Sequence, residues 1–250
     1  MITVQRDAAL AATSGAGPEE PAAVRAAEPV TVRAAAPRAR RPARPVVRPG
    51  RGARVVDLRG DGRARTAAEL RFPPGDLVVV SGLPGSGKST LMHRVVPPLD
   101  GGGAEVHRID SQDVRERWER GRLRRLPYGL YRPLVRAAHY LALGRALRSG
   151  RSVVVHDCGT LAWVRRWIAR AAGRGGRGLH LVLLDVAPEV ARAGQQARGR
   201  GVSGYAFARH RRAVSYLVGG AEAARLPRGF ASAVLLDRRA ASALETLTFR

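Results

Sequence analysis

The chain has 250 residues, enough for one domain of ordinary size with appendages, and 45% of them are hydrophobic, so a sizeable core is available. Its one cysteine, Cys158, excludes an internal disulfide framework, and no apolar run approaches the length that spans a bilayer. The N-terminus lacks the apolar stretch of a secretory signal, so we expect a cytoplasmic protein with no membrane partner.

The formal charge of +24 at pH 7 has two interpretations. It suits a polyanionic partner such as nucleic acid. It is also what GC-rich coding produces, because arginine replaces lysine everywhere except at Lys88 and because Ala, Gly and Pro are abundant. Aromatic stacking platforms interleaved with the basic residues are missing, which favours the coding explanation.

Composition divides the chain into three parts. Residues 1–52 are rich in Ala, Pro and Arg and predict a disordered tail, a spacer that contacts RNA, DNA or acidic proteins only nonspecifically. Residues 53–75 predict a linker or edge element, with a short edge strand at 55–58 and a helical turn or two at 66–72. Residues 76–250 predict the folded domain.

The strongest motif directly follows the apolar run 77–81. Residues 82–90 read GLPGSGKST and match the pattern G-x-x-x-x-G-K-[ST] in its required context of strand, loop and helix. The glycines let successive backbone N–H groups point at a β-phosphate, and the helix adds its positive N-terminal end. We expect Lys88 to bind the β- and γ-phosphates of ATP and Ser89 to ligate Mg²⁺. The predicted nucleotide-binding residues are Gly82, Leu83, Pro84, Gly85, Ser86, Gly87, Lys88, Ser89 and Thr90.

Strands and helices alternate along the rest of the chain. The predicted strands are 77–81, 105–109, 152–156, 179–184 and 231–236. The predicted helices are 89–96, 114–123, 132–147, 161–172, 206–217, one that opens at 188–189 and one at the C-terminus. This order predicts an α/β fold, the three-layer sandwich of P-loop NTPases, with a five-stranded parallel sheet, helices on both faces and a helical lid. Ligands of such sheets bind at the carboxyl ends of the strands.

Two aspartates follow the second predicted strand. Asp110 ends that strand beside the phosphate loop, where a carboxylate can accept a proton from an attacking hydroxyl and orient it toward the γ-phosphate. Asp113 comes within a turn of it, and either side chain is also suited to cap a helix N-terminus. The pattern favours catalysis for Asp110, whereas for Asp113 the capping interpretation is at least as strong.

Another aspartate, Asp157, ends the third predicted strand and is expected to hold Mg²⁺ directly or through water. Cys158 follows it, where motor-type ATPases of this loop class carry a glutamate that activates water. The missing glutamate favours phosphoryl transfer to an acceptor other than water.

Four arginines flank the glycine-rich segment 199–204 between the fourth and fifth predicted strands. A lid that carries them would close on the nucleotide and neutralise charge on the transferring phosphoryl group. Arg209 and Arg212, three residues apart, would share a helix face, although a solvated basic helix explains them equally well. The lid residues are Arg198, expected at the nucleotide, Arg200, and the candidate catalytic residues Arg209 and Arg212.

With these residues in place, the chain resembles the P-loop kinases that include the kinase domain of polynucleotide kinase, zeta toxins, chloramphenicol phosphotransferase and gluconate kinase. The resemblance covers residues 76–237 and rests on the phosphate loop, the run 110–115, the strands 153–157 and 181–186, and the later arginines. It implies that Lys88 and Ser89 bind ATP and Mg²⁺, that Asp110 activates the acceptor, and that a lid arginine faces the phosphates.

The sequence departs from the polynucleotide kinase pattern at Gln112, where those enzymes carry an aspartate three residues before the arginine that is Arg115 here. The base is therefore left open between Asp110 and Asp113. The leading hypothesis is an ATP-dependent kinase that transfers the γ-phosphate to a hydroxyl of a small molecule or a nucleic-acid end. The alternatives are a nucleotide-binding regulatory or nucleic-acid-associated NTPase and, more weakly, a non-catalytic ATP-binding scaffold.

Overall fold

The computed structural model describes residues 46–47, 54–60, 68–110, 112–113, 128–157, 161–197 and 203–250. All of them belong to one compact unit that runs from Pro42 to Arg250. Several sequence predictions lie outside the described residues, namely most of the tail 1–52, the helix 114–123 with Arg115, and Cys158, Arg198 and Arg200.

The core of the fold is a six-stranded parallel sheet with the strand order β2-β8-β7-β4-β6-β5. The central strand β4 pairs with β6 on one side and with β7 on the other. The chain turns from one half of the sheet to the other beside β4, and in open α/β sheets this is where a ligand-binding crevice forms. The strands are β2 (Arg54–Asp57), β4 (Leu77–Gly82), β5 (His107–Ile109), β6 (Val153–Asp157), β7 (Leu179–Leu184) and β8 (Ser232–Leu236).

The inner strands are continuous apolar runs because both faces of the sheet are covered. In β4, Leu77 and Val79 point into one core cluster, whereas Val78 and Val80 point into the other. Alternate side chains of a strand lie on opposite faces, so a strand that is covered twice must be apolar throughout. The three-layer α/β sandwich predicted from the sequence is confirmed.

Helices cover both faces of this sheet. The first face carries α2, α3 and α5, whose buried Leu143, Ile168 and Leu217 join the cluster of Leu77, and the second carries α1 and α6. The helices are α1 (Lys88–Val95), α2 (Tyr128–Arg148), α3 (Ala162–Arg174), α4 (Pro188–Gln196), α5 (Gly204–Glu222) and α6 (Arg238–Ala243). No helix in the described part of the chain has the length and apolar character needed to cross a membrane.

The sheet has one strand more than the five predicted, because the segment 54–57 adds to its edge. Strand β2 pairs with β8 in parallel, and the Arg59 side chain then fastens it to two other parts of the fold. The guanidinium donates to Asp57 at 2.8 Å, to Asp185 after β7 at 2.5 Å and to Glu222 at the end of α5 at 2.8 Å. A short edge strand is thus held by side-chain bonds as well as by its ladder.

A second, three-stranded parallel sheet lies against the α1 face, and the sequence analysis missed it. It consists of β1 (Val46–Val47), β3 (Glu69–Phe72) and the C-terminal strand β9 (Thr246–Phe249), in the order β1-β3-β9. The prediction of helical turns at 66–72 is wrong in its described part, because residues 69–72 pair with 246–249 from the far end of the chain. Leu70, Phe72 and Phe249 are fully buried against Val78 and Val80.

A buried hydrogen-bond network joins three strands at the amino edge of the main sheet. His180 donates or accepts at both ring nitrogens, contacting Asp76 Oδ2 at 3.0 Å and Ser232 Oγ at 2.7 Å. The backbone N–H of Gly178 donates to Asp76 Oδ1 at 2.7 Å. Asp76, His180 and Ser232 are the residue types of a hydrolytic triad. All three are at most 2% exposed, however, and they lie at the edge of the sheet opposite the phosphate loop. We therefore interpret the network as structural, since buried polar groups must find partners.

The C-terminal strand is expected to contribute to stability through Phe249. Phe249→Ala removes a fully buried ring and should lower the free energy of unfolding by about 3 to 5 kcal/mol. Leu141→Ala is the control, because that side chain is 60% exposed, and it should change stability by less than about 0.5 kcal/mol. Urea unfolding of both variants measures the difference. Equal stability of the two variants would contradict the packing of the second sheet against the main one.

Candidate active site

The phosphate loop is packed on one side and open on another. Gly85 has φ of 86°, and a β carbon there would lie 2.1 Å from the carbonyl oxygen of Ala191 in α4. Gly87 has φ of 96°, and nothing lies within 4 Å of the corresponding position. Both residues use the left-handed region that favours glycine. The loop is therefore seated against α4 and remains open immediately before α1 begins.

Lys88, the first residue of α1, is 4% exposed and folds back over the loop. Its Nζ donates to the carbonyl oxygens of Gly82 at 2.9 Å and of Leu83 at 2.7 Å. Ser89 is buried beside it, whereas Thr90 is exposed on α1. The buried ammonium and the N-terminal end of α1 together give the loop a positive potential that suits phosphate.

Asp110 is buried at the carboxyl end of β5, with its side chain inaccessible to solvent. The His156 ring donates from Nδ1 to Oδ1 at 2.8 Å, and the backbone N–H of Gln112 donates to the same oxygen at 2.9 Å. Burial alone would raise the pKa of this carboxyl. The hydrogen bond and charge of His156, aided by the Ser89 hydroxyl and the Gln112 amide, outweigh burial and hold the pKa of Asp110 well below its ordinary range.

Behind this pair lies a second histidine, His139 of α2. Burial lowers the pKa of His139, and the charge of His156 lowers it further, against the opposing attraction of Asp110 and Asp157. Its Nδ1, the Nε2 of His156 and the Oδ2 of Asp110 are buried atoms with no hydrogen-bond partner among the described residues. Unsatisfied buried polar atoms are rare in folded proteins, so their grouping here marks a place where further polar partners are expected to bind.

Asp113 differs from Asp110 in exposure and in partner. Its side chain is 29% exposed and accepts a hydrogen bond from Nε2 of His93, on α1, at 3.0 Å. One potential ligand atom from each of His93, Asp110 and Asp113 lies within 4.8 Å of the other two. The two aspartates are therefore close in space, but one is sealed off from solvent and the other is accessible.

Asp157, one of the two predicted magnesium residues, lies among oxygens of the kind that Mg²⁺ prefers. Asp157 ends β6, is 8% exposed and accepts a hydrogen bond from Arg165 at 3.3 Å. It lies opposite Ser81 in the ladder of β4 and β6, and the buried Ser81 hydroxyl has no partner among the described residues. Hydroxyl and carboxylate oxygens are the ligands that Mg²⁺ prefers, and unpartnered oxygens cluster at this edge of the sheet.

Two of the four predicted lid arginines lie in the described part of the chain, and neither of these two bonds to this cluster. Arg209 and Arg212 lie on an exposed face of α5, and no hydrogen bond or ion pair joins them to the described residues of the phosphate loop or to the strand-end aspartates. Arg165 instead supplies a guanidinium next to Asp157. Sequence reasoning missed Arg165, His93 and His156 because one arginine among so many and isolated histidines carry no local signal.

These features define a P-loop NTPase-type fold: a phosphate loop after the central strand, a buried lysine and carboxylates at neighbouring strand ends. A family model described as an AAA domain matches residues 77–216, which is more than half of the chain. The chain belongs to this family. No curated protein sequence matches the chain.

The solved structures that this chain resembles include a toxin-antitoxin system and a shikimate kinase. One is the PezAT chromosomal toxin-antitoxin system of Streptococcus pneumoniae, 14% identical, covering 66% of this chain and 68% of that chain with a TM-score of 0.42. The other is shikimate kinase from Bacteroides thetaiotaomicron, 13% identical, covering 67% of this chain and 92% of that chain with a TM-score of 0.34.

The lowered pKa of Asp110 predicts how the metal-free site responds to pH. A carboxyl whose pKa is lower in the folded than in the unfolded state adds stability above about pH 4, and this stability is lost as the pH falls through the folded-state pKa. His156→Gln removes the partner that lowers the pKa of Asp110, so the pKa of Asp110 should rise toward the ordinary range of a carboxyl. Carbon-13 NMR titration of the carboxyl measures it, with the loop residue Asp100 as the internal control. An unchanged Asp110 titration would contradict the role of His156.

Proposed function

We propose that this protein is an ATP-dependent phosphotransferase that moves the γ-phosphate of ATP to a hydroxyl group of an acceptor. The observation that carries the proposal is the placement of two carboxylates beside the phosphate loop. Asp110 is near the Ser89 hydroxyl in the first turn of α1, and Asp113 is within 4.8 Å of Asp110 through their nearest ligand atoms. Phosphoryl transfer needs little beyond positioning and charge, and this arrangement supplies both.

The loop and Lys88 would bind the triphosphate. In the structure, the ammonium donates hydrogen bonds to the carbonyl oxygens of Gly82 and Leu83, and phosphate oxygens would replace these acceptors. Charge-assisted hydrogen bonds to phosphate are stronger than those to neutral carbonyls. We therefore expect the Lys88 ammonium to exchange the two carbonyl oxygens for phosphate oxygens when the nucleotide binds.

Ser89, Asp110 and Asp157 would hold Mg²⁺, directly or through water. When bound, the ion neutralises charge on the phosphates during transfer. Asp110 suits this role better than that of a base, because its pKa is far below the ordinary range and its Oδ2 is buried with no hydrogen-bond partner among the described residues. A carboxylate that binds protons so weakly is suited to a cation.

Asp113 is the better candidate for the base. An acceptor can reach its carboxylate from solvent, and His93 orients the carboxylate through Oδ1, whereas no described residue bonds to Oδ2. In the proposed step, the acceptor hydroxyl gives its proton to Asp113 as its oxygen bonds to the γ-phosphorus. The bond from that phosphorus to the oxygen bridging to the β-phosphate breaks, and ADP leaves. Arg198 at the lid, and Arg209 and Arg212 beyond it, remain proposed contributors.

Nucleotide binding is tested first. Lys88→Ala should weaken binding of ATP with Mg²⁺ by about 10- to 100-fold, because it removes charge-assisted hydrogen bonds of about 1.5 to 3 kcal/mol. Isothermal titration calorimetry measures the affinity. Asp100→Asn is the control, since that loop residue lies outside the site and its amide oxygen still accepts the turn hydrogen bonds. Wild-type protein that gives no heat with ATP or GTP would refute the proposal.

The roles of the two carboxylates are then separated. Asp113→Asn should lower phosphoryl transfer by about 10²- to 10⁴-fold and keep ATP affinity, as expected for a general base. Asp110→Asn should weaken the magnesium dependence of ATP binding. Transfer is measured with γ-labelled ATP against a panel of metabolites and oligonucleotides with free 5′ hydroxyls. If Asp113→Asn retains full transfer while Asp110→Asn loses it with ATP affinity intact, the assignment of base and ligand is reversed.

A further inference from the structure

Helix α5 presents two tyrosines to solvent to an unusual degree. Tyr205 is 81% exposed and Tyr216 is 77% exposed. They are eleven residues apart, which at about 100° per residue brings them back to nearly the same side of the helix, about 16 Å apart along its axis. Large rings that are this exposed on a well-packed helix are not explained by the core.

Two arginines lie between the tyrosines on the same side. Tyr205, Arg209, Arg212 and Tyr216 follow the spacing i, i+4, i+7, i+11 and fall within an arc of about 60°. All four are exposed. We refer to them as the tyrosine–arginine stripe. The sequence analysis found no aromatic platforms among the basic residues, because the two rings and the two guanidinium groups come to one side only through the helix register.

The stripe lies on the side of α5 opposite its packed face. The buried residues of α5 join the sheet's first core cluster, and they are Phe207, Val214, Leu217, Val218 and Ala221. The fold is therefore supported by one side of the helix, and the stripe has no part in that packing.

The charge of this side is positive and unopposed. Glu222 is the single acidic residue of α5, and it is bonded to Arg59 at the far end of the helix. Neither stripe arginine forms a hydrogen bond or an ion pair with a described residue. Elsewhere in the fold, arginines such as Arg59, Arg165 and Arg177 are tied to carboxylates or carbonyl oxygens. The stripe arginines are thus available to an external anion.

We propose that the tyrosine–arginine stripe is a binding surface for single-stranded nucleic acid. Exposed rings offer faces on which unpaired bases stack, and the guanidinium groups between them pair with phosphates. The net charge of +24 favours association with a polyanion in general. The stripe is the place on the surface where we expect the polyanion to bind.

Other occupants match these four residues less well. A membrane-surface helix needs its large apolar side chains on the exposed side, whereas those of α5 are buried on the opposite side. An acidic peptide would pair with the arginines, but its acidic side chains would not stack on the two tyrosine rings. Duplex nucleic acid keeps its bases stacked on each other, so the rings would have no partner.

The test compares full-length variants in binding a fluorescein-labelled single-stranded DNA 12-mer by anisotropy. The double variant Tyr205→Ala/Tyr216→Ala should weaken affinity by about 10- to 100-fold, because two stacking contacts are lost. Tyr205→Phe/Tyr216→Phe keeps the rings and should bind nearly as wild type. All four changes are on exposed positions, so circular dichroism should show an intact fold.

The arginines are tested by salt dependence. Arg209→Ala/Arg212→Ala should reduce the slope of log affinity against log salt by about 1.4, since each phosphate contact on a single strand contributes about 0.7. Arg145→Ala/Arg148→Ala is the matched control, because these are exposed arginines three residues apart on α2. Equal slopes and affinities for the two double variants would overturn the proposal.

Competition distinguishes the occupants. If polyglutamate displaced the oligonucleotide equally well from wild type and from the tyrosine-to-alanine variant, that result would overturn the proposal. The proposal would also be overturned if the stripe variants lost binding to phosphatidylserine vesicles but still bound the oligonucleotide. Lys88→Ala should keep oligonucleotide affinity, so a failure of the proposed phosphotransferase activity and a failure of the stripe give different results.

Discussion

The pairing of β4 with β6 on one side and β7 on the other is the constraint on which the rest of this structure depends. The parallel ladders bring the carboxyl ends of the three strands to one edge, so the phosphate loop after β4 lies next to Asp157 and, one strand further, Asp110. The buried apolar runs make this register costly to change, because a slip of one residue would turn every side chain to the wrong face. The packing of the core therefore fixes the positions of the strand ends that form the site.

At that edge the fold buries polar groups, and several of them have no partner among the described residues. Asp110 keeps its charge in a closed position because His156 and the nearby amide and hydroxyl stabilise it. At the opposite, amino edge of the main sheet, by contrast, both ring nitrogens of His180 are hydrogen-bonded. A satisfied network stabilises a fold, whereas a partly satisfied one marks a place that is completed by a ligand.

The positive charge of the chain has more than one role in the structure. Arg59 joins an edge strand to the sheet, Arg165 approaches the Asp157 carboxylate, and the stripe arginines lie opposite the core. A compositional preference for arginine therefore coexists with positions where the guanidinium geometry is used, because a planar donor can bond several acceptors at once. The net charge alone separates none of these roles.

The sequence by itself determined the phosphate loop, the buried strands of the main sheet and the aspartates at their ends, because each of these is a local pattern of residue type and period. It could not show that residues 69–72 pair with 246–249, that His156 bonds to Asp110, or that Asp110 is closed to solvent while Asp113 is open. In the sequence, the tyrosines and arginines of the stripe are separated from one another, and only the helix register brings them to one side of α5. Pairing, burial and register depend on residues far apart in the chain, so only the tertiary structure decides them.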